Sequence, residues 1–134
     1  MIIDTSALMA MLLVEQQWGK IHEALTDEEA HIPAPALTEF GIVAAGRRRE
    51  QDARALIADL IDDGLGVVAF TEAHAALTWH ARAQYGKGNG TGGQLNLLDL
   101  MVYSVAQARG EPLLCTGKDF ATTDIVIHPA SRPW

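Results

Sequence analysis

The sequence predicts an α/β fold with a mainly parallel central sheet. Short apolar runs rich in β-branched residues alternate along the chain with longer segments of helical periodicity. Capping residues, prolines and glycines stand between these segments, as expected where one element gives way to the next. The chain has 134 residues, of which 49% are hydrophobic. That is enough to bury one core, so we expect a single domain over residues 1–134.

The first half of the chain opens with a short strand and then becomes mostly helical. Residues 1–3 are apolar and β-branched, and a helical pattern follows at once. Pro33 and Pro35 disfavour helix in the residues before them, so an extended piece is expected at 31–33. We predict helices over residues 7–14, 16–25, 36–45 and 53–60, with a charged break at 47–50.

The second half alternates strands and helices more regularly. Gly64 and Gly66 end the preceding helix, Thr71 and Asn96 can each cap a helix, and Gly110 can end one. We predict strands over residues 67–70, 112–115 and 125–127, helices that end near residues 84 and 108, and an irregular tail over 128–134. The loop at 86–93 contains five glycines, and we expect it to be mobile and to flank the functional site.

Composition and charge exclude several classes of protein. Ten Lys and Arg oppose seventeen Asp and Glu, which gives a formal charge of -7. This balance argues against coating of nucleic acid, or binding to an anionic membrane, through bulk positive charge. The single cysteine, Cys115, cannot form an intrachain disulfide, and its apolar neighbours predict a buried side chain. No signal peptide or membrane-spanning run is evident, so we expect a cytoplasmic protein without a membrane partner.

Several carboxylates occupy positions where hydrophobic burial should exclude charge. Asp4 directly follows the first apolar strand, Glu39 is the only charge in its apolar helix, and Asp99 lies in a helix that is apolar almost all round. Asp119 follows a later strand, and Asp124 comes five residues further on. In open α/β sheets, sites form at the carboxyl ends of the strands, which is where Asp4 and Asp119 fall.

This acidic set has few cationic partners, since only Lys118 is close in sequence. A buried carboxylate is costly unless it is protonated, paired or bound to a metal ion. Oxygen ligands favour the hard ions Mg²⁺ or Mn²⁺ over Zn²⁺, and the histidines and the cysteine show no zinc spacing. Two such ions about 4 Å apart can activate a water and stabilise the leaving oxygen of a phosphodiester.

Four stretches, taken in order, resemble the motifs of PIN-domain ribonucleases. The most similar pattern is that of the VapC toxins of bacterial VapBC toxin–antitoxin pairs. The opening motif is Ile3-Asp4-Thr5-Ser6-Ala7, and Thr38-Glu39 matches the second acidic position. The central motif spans residues 95–99 with Tyr103 and Ala106, and the third spans residues 111–120 with 123–125. The resemblance therefore covers nearly the whole chain.

The resemblance implies a PIN-like α/β/α sandwich and an Mg²⁺- or Mn²⁺-dependent endoribonuclease that cleaves RNA with a metal-activated water. It also implies a homodimer and a cognate antitoxin that inhibits the enzyme. The acidic cluster carried over from the family consists of Asp4, Glu39, Asp99 and Asp119, with Asp124 as a fifth candidate. Within it, the expected metal ligands are Asp4, Asp99 and Asp119. Contacts to the substrate or to the ligating groups are expected from Ser6, Thr116, Lys118, Arg47 and Arg48.

Two other classes stay open at this point. A catalytically inactive or housekeeping PIN module would act by binding alone, although the presence of all four acids speaks against it. A receiver-type signalling domain also uses an acidic pocket, Mg²⁺ and a lysine after a strand. That class needs an Asp at the end of a middle strand, whereas the run at 67–70 is followed by Thr71 and Asp99 lies in a helix.

Overall fold

The computed structural model describes residues 1–131 and contains a four-stranded, fully parallel sheet. Its strands are β1 (Ile2–Ile3), β2 (His31–Pro33), β3 (Gly66–Val68) and β4 (Leu113–Leu114), in the order β3-β2-β1-β4. Ile2 pairs with both His31 and Leu113, which places β1 in the middle. The predicted α/β class with a parallel sheet is confirmed.

Six helices surround this sheet. They are α1 (Thr5–Leu12), α2 (Trp18–Asp27), α3 (Ala34–Gly46), α4 (Glu50–Asp62), α5 (Glu72–Tyr85) and α6 (Leu97–Arg109). Ile2 and Ile3 point to opposite faces of the sheet, and both are fully buried. Since a strand buried on both faces needs cover on both, the helices form a layer on each side. The fold is therefore an α/β/α sandwich.

The predicted caps are confirmed. The Thr71 hydroxyl accepts a hydrogen bond from the His74 N–H at the start of α5, and the Asn96 carbonyl oxygen accepts one from the Asp99 N–H at the start of α6. Gly110 follows α6 in the left-handed conformation, with φ of 63°. Cys115 is completely buried, as predicted. These signals depend only on neighbours within a few residues, which is why the sequence alone shows them.

The predicted strand at residues 125–127 and the predicted start of α3 are wrong, and the ends of most other elements differ from the prediction by one to three residues. Residues 125–127 form no strand: the Leu113 N–H donates to Val126 O, and one isolated bridge joins Leu113 to Ile127. The chain then turns into a 3-10 helix at Pro129–Ser131, so pairing cannot continue. Helix α3 begins at Ala34 rather than after Pro35, because the first turn of a helix does not need the N–H that proline lacks. The rest of the tail, 132–134, lies outside the described residues.

The glycine-rich loop, residues 86–93, forms hydrogen bonds with the end of α5. The Asn89 side-chain amide donates to the carbonyls of Arg82 and Ala83, at 2.7 and 3.0 Å. The Thr91 hydroxyl donates to Gln84 O at 3.0 Å. These carbonyls belong to the last turn of α5, where backbone donors run out. Arg82 O also accepts from the Gly86 N–H at 3.0 Å. The loop therefore caps the end of α5, while its mobility stays a prediction. No helix within residues 1–131 is both long and apolar enough to cross a membrane.

Candidate functional site

Three of the candidate acidic residues lie near the carboxyl ends of the parallel strands. Asp4 follows β1 and begins α1, while α3 starts directly after β2 and carries Glu39 in its second turn. Asp119 comes five residues after the end of β4 and begins a short 3-10 helix, Asp119–Thr122. Because the strands are parallel, their carboxyl ends lie at one edge of the sheet, so three loops meet there.

Asp4 is the most buried member of the cluster, with only 6% of its surface exposed. Its carboxylate caps α1 by accepting from the Ser6 N–H at 2.9 Å, and it also accepts from the Ser6 hydroxyl. The Ser6 oxygen accepts in turn from the Thr116 N–H at 3.0 Å. Burial raises the pKa of Asp4, the Ser6 hydrogen bonds lower it, and the charge of Glu39 raises it again. Ser6 and Thr116 thus hold Asp4 in place.

Glu39 is half-buried and is held by a residue that sequence reasoning missed. The Thr5 hydroxyl lies 2.6 Å from Glu39 Oε2 and 3.1 Å from Ala36 O. Thr5 is itself buried, with 6% of its surface exposed. The two partners are 34 residues apart in sequence. No local pattern could therefore have indicated this contact.

Asp99 lies in the first turn of α6 and closes its capping box. One carboxylate oxygen accepts from the Asn96 N–H at 2.9 Å, and the Asp99 N–H donates to the Asn96 side chain at 3.0 Å. Burial, together with the charges of Asp4, Asp119 and Glu39, raises the pKa of Asp99 to about 6 against the lowering effect of the Asn96 hydrogen bond. The simple view of an acid favoured at a helix N-terminus is therefore incomplete, because repulsion from the other carboxylates also reaches Asp99.

Asp119 and Asp124 occupy different surroundings. Both side chains are exposed, yet the charge of Asp119 acts on Asp99. Burial raises the pKa of Cys115, and the charges of Asp4 and Asp119 add to this effect. Asp124 instead accepts a hydrogen bond of 2.6 Å from the Tyr103 hydroxyl, and burial and this bond raise the pKa of Tyr103. The charge of Asp119 therefore reaches Asp99, which also experiences the charges of Asp4 and Glu39. The structure places Asp124 next to α6.

The basic candidates lie outside this cluster. Arg47 and Arg48 are exposed just after α3, and within residues 1–131 neither forms an ion pair. Arg49 is occupied, since it contacts Asp52 and donates to Leu12 O. Arg47 comes eight residues after Glu39, a rise of roughly 12 Å along the helix. Lys118 is exposed and precedes Asp119.

The donor set fits a hard divalent cation. All four grouped side chains are carboxylates, and no Lys or Arg of the described chain forms a salt bridge with any of them. No three acidic, histidine or cysteine side chains of residues 1–131 come close enough to enclose a metal ion. Mg²⁺ does not need such a cage, because it keeps several waters and binds through one or two carboxylates together with substrate phosphates. The cluster therefore fits Mg²⁺ or Mn²⁺ and not a closed site of Zn²⁺ type.

Comparison with known proteins agrees with this geometry. The family model described as PIN domain matches residues 1–126. Ribonuclease VapC42 of Mycobacterium tuberculosis is 38% identical over 127 residues, which cover 93% of this chain and 96% of that protein.

Two solved structures share the fold. The crystal structure of Mycobacterium tuberculosis VapC20, described as a toxin that cleaves the sarcin–ricin loop, matches with a TM-score of 0.75 at 15% identity over 93% of this chain and 95% of that one. A chain of the Rickettsia felis VapBC2 complex bound to promoter DNA matches with a TM-score of 0.72 at 13% identity, covering 94% of each chain. The family match and the identity to the curated relative together decide membership: the chain belongs to the PIN-domain family and, within it, to the VapC ribonucleases.

Proposed function

We propose that this protein is a metal-dependent endoribonuclease that acts as the toxin of a toxin–antitoxin pair. The observation that carries the proposal is the cluster of Asp4, Glu39, Asp99 and Asp119, whose charges act on one another and have no cationic partner within residues 1–131. A divalent cation would offset that repulsion, and RNA phosphates are the substrate that such a site accommodates.

The candidate residues would have different roles in this activity. Asp4, Asp99 and Asp119 are the expected ligands, of which one or two would bind the cation directly and the rest through its waters. Ser6 fixes Asp4, and the bond to the Asn96 N–H fixes Asp99. When bound, Mg²⁺ or Mn²⁺ would lower the pKa of water and offset the negative charge of the phosphate. The charge of Glu39 acts on Asp4 and Asp99, so Glu39 would strengthen binding of the cation and would also orient the attacking water. Asp124 remains a candidate fifth member.

The exposed cations would steer RNA rather than cut it. Lys118 adjoins Asp119, and Arg47 and Arg48 lie along α3 from Glu39. Contacts from such side chains to phosphates position a nucleic acid without reading its bases. Thr116 would act on Asp4 through its bond to Ser6. Substituting Arg47 and Arg48 with Gln should weaken RNA binding and reduce its salt dependence, while leaving Mn²⁺ binding unchanged.

The function is tested by RNA cleavage with purified protein in Mg²⁺ or Mn²⁺. Asn caps a helix as well as Asp does, so Asp4→Asn should fold normally. We expect this variant to lose cleavage by on the order of a hundredfold or more. Asp62→Asn, on the exposed side of α4, is the matched control and should cleave like wild type. Full cleavage by a folded Asp4→Asn protein would refute the proposal.

The same experiment distinguishes an active nuclease from the alternative, a catalytically inactive PIN module. Such a module would bind RNA or a partner protein but leave every RNA intact with either metal. Mapping the cut sites on total cellular RNA, with Asp4→Asn as the blank, would reveal both activity and sequence preference. Absence of wild-type-specific cuts would favour the binding module.

An antitoxin partner has a suitable surface between α3 and α4. An apolar groove of about 450 Å³ lies there, lined by Leu37, Phe40, Ala45, Ala53 and Ile57 among others. The related VapBC2 structure is a toxin–antitoxin complex. An amphipathic segment of the antitoxin would bury its apolar side chains in such a groove.

Gly41 allows a clean test of this surface. It lines the groove, and a Cβ added there would meet nothing within 4 Å, so Gly41→Gln should fold while filling the groove. Gly19→Gln, at an equally open position on α2, is the control. We expect Gly41→Gln to weaken inhibition by the antitoxin encoded beside this gene and to leave cleavage by the free enzyme intact. Equal inhibition of both variants would place the antitoxin elsewhere.

A homodimer would use the neighbouring face of α3. Pro35, Ile42, Phe70, Leu98 and Met101 line a second groove, of about 530 Å³, and Ile42 is 68% exposed. A second copy would cover this apolar surface next to Glu39. Ile42→Glu should therefore give a monomer by analytical ultracentrifugation where wild type gives a dimer. Ile61→Glu, on the exposed part of α4, serves as control.

A further inference from the structure

Thr5 joins two helices of the site through a single hydroxyl. It begins α1, between Asp4 and Ser6, and its Oγ1 reaches across to α3. There it lies 2.6 Å from Glu39 Oε2 and 3.1 Å from Ala36 O. The side chain is buried, so water cannot readily replace either contact.

Of these two contacts, the shorter one, from Thr5 to Glu39, is the one that matters for the site. A threonine hydroxyl has one hydrogen, and the Ala36 carbonyl lies inside α3, where it has an intrahelical donor of its own. Glu39 has no such alternative: within residues 1–131, the Thr5 hydroxyl is its one hydrogen-bonding partner and it has no salt bridge. A bond from a hydroxyl to a carboxylate is also stronger than one to a neutral carbonyl.

Glu39 needs such an anchor because its side chain is long and half-exposed. Its charge reaches both Asp4 and Asp99, so repulsion favours rotamers that turn away from the cluster. Holding three side-chain torsions against this repulsion has an entropic cost that one strong hydrogen bond can offset. The pairing with Thr5 therefore selects the rotamer in which Glu39 faces the cluster.

We propose that Thr5 is a positioning residue for the nuclease site, and that its hydroxyl fixes the Glu39 carboxylate toward Asp4 and Asp99. This inference rests on the proposed function. Two variants separate the hydroxyl from the methyl group of Thr5. Thr5→Val keeps the shape and removes the donor, whereas Thr5→Ser keeps the donor and removes the methyl.

The test measures RNA cleavage under saturating Mn²⁺, Mn²⁺ affinity by electron paramagnetic resonance, and thermal unfolding of each variant. Loss of one hydrogen bond to a charged group should lower kcat of Thr5→Val on the order of tenfold and weaken Mn²⁺ binding. Thr5→Ser should stay near wild type in both. Thr26→Val, which removes an exposed hydroxyl bonded to His22 O on α2, is the matched control and should change neither.

A double variant shows whether Thr5 acts through Glu39. In a Glu39→Ala background, adding Thr5→Val should weaken Mn²⁺ binding no further, because the partner of the hydroxyl is already gone. Equal losses in both backgrounds would overturn the inference. A packing role would give the opposite order, with Thr5→Ser impaired and Thr5→Val active, and would overturn it as well.

The outcomes distinguish this inference from the function on which it rests. If wild type cleaves RNA and Thr5→Val cleaves equally well, only the role of Thr5 is refuted. If wild type neither binds Mn²⁺ nor cleaves RNA while Ribonuclease VapC42 does so in the same assay, the proposed function is refuted and the role of Thr5 falls with it.

Discussion

Asp99 illustrates how one residue can serve the fold and oppose it at once. Its carboxylate closes the capping box of α6, which stabilises the start of that helix. Burial and the charges of Asp4 and Asp119 raise its pKa to about 6, which means that its ionised form is disfavoured in the folded protein. The same residue therefore supports α6 through its hydrogen bond and destabilises the folded state through its charge.

Asp99→Asn should separate these two effects. Asn can still accept from the Asn96 N–H, so the capping box survives while the charge is lost. We expect RNA cleavage to be abolished, while the metal-free protein becomes more stable near neutral pH. The gain should be on the order of 1 kcal/mol once solvent screening is allowed for. Urea denaturation with EDTA measures it, and an unchanged or lower stability would argue against repulsion within the cluster.

The pH dependence of stability follows with a definite sign. The unfolded Asp99 has an ordinary pKa of 3.8 and the folded one about 6, so folding takes up a proton between these values. The contribution of Asp99 to the free energy of unfolding is therefore largest at acid pH and falls as pH rises through about 6. Denaturation of metal-free protein across this range should show that decline. In Asp99→Asn it should be flatter, and identical slopes would contradict the assignment.

At the scale of elements, the loop between α5 and α6 sets where Asp99 stands. The Leu95 N–H donates to Tyr85 O at 3.0 Å, and the Lys87 N–H donates to Leu95 O at 2.8 Å. This bridge ties the residue before the cap of α6 to the end of α5. Gly93 passes so close to α5 that an added Cβ would lie 2.3 Å from the backbone of Tyr85. The glycines therefore allow a close approach that orients α6.

Gly93→Ala should consequently disturb the site from a distance. The clash is with backbone, which cannot rotate away, so we expect destabilisation of about 1–3 kcal/mol together with reduced cleavage. Gly19→Ala, in the open first turn of α2, is the control and should be neutral or stabilising by up to about 1 kcal/mol. Thermal unfolding and the RNA assay measure both variants. Wild-type behaviour of Gly93→Ala would show that the loop does not set the position of α6.

For the whole molecule, the acidic residues behind the net charge of -7 are unevenly distributed between the candidate site and the remaining chain. Setting aside the five candidate site acids leaves twelve acidic against ten basic side chains. Most of the acidic excess is thus assigned to the candidate site, and the remaining surface is nearly balanced. Under the proposed function, RNA binding would depend on the cation, on a few exposed arginines and on local shape, and not on bulk positive charge.

Mg²⁺ or Mn²⁺ should accordingly stabilise the entire domain. A ligand that binds only the folded state at a hundred times its dissociation constant adds about 2.7 kcal/mol to the free energy of unfolding. We expect a rise in the melting temperature of wild type with either ion, and a smaller rise for Asp4→Asn. The Asp62→Asn control should respond like wild type. An equal rise in all three would indicate non-specific binding of the metal.

The sequence by itself determined the α/β class, the order along the chain of the four strands that form, and the caps of α5 and α6. It also singled out the acidic candidates for the site, whose role stays a prediction. These follow from periodicity and from capping chemistry within a few residues, together with charges that stand out in apolar segments. Only the tertiary structure decided that Thr5 holds Glu39, that Ser6 links Asp4 to Thr116, and that Asp124 pairs with Tyr103. These partners lie 34, 110 and 21 residues apart, so packing of the helices on the sheet brings them together, and no local pattern records it.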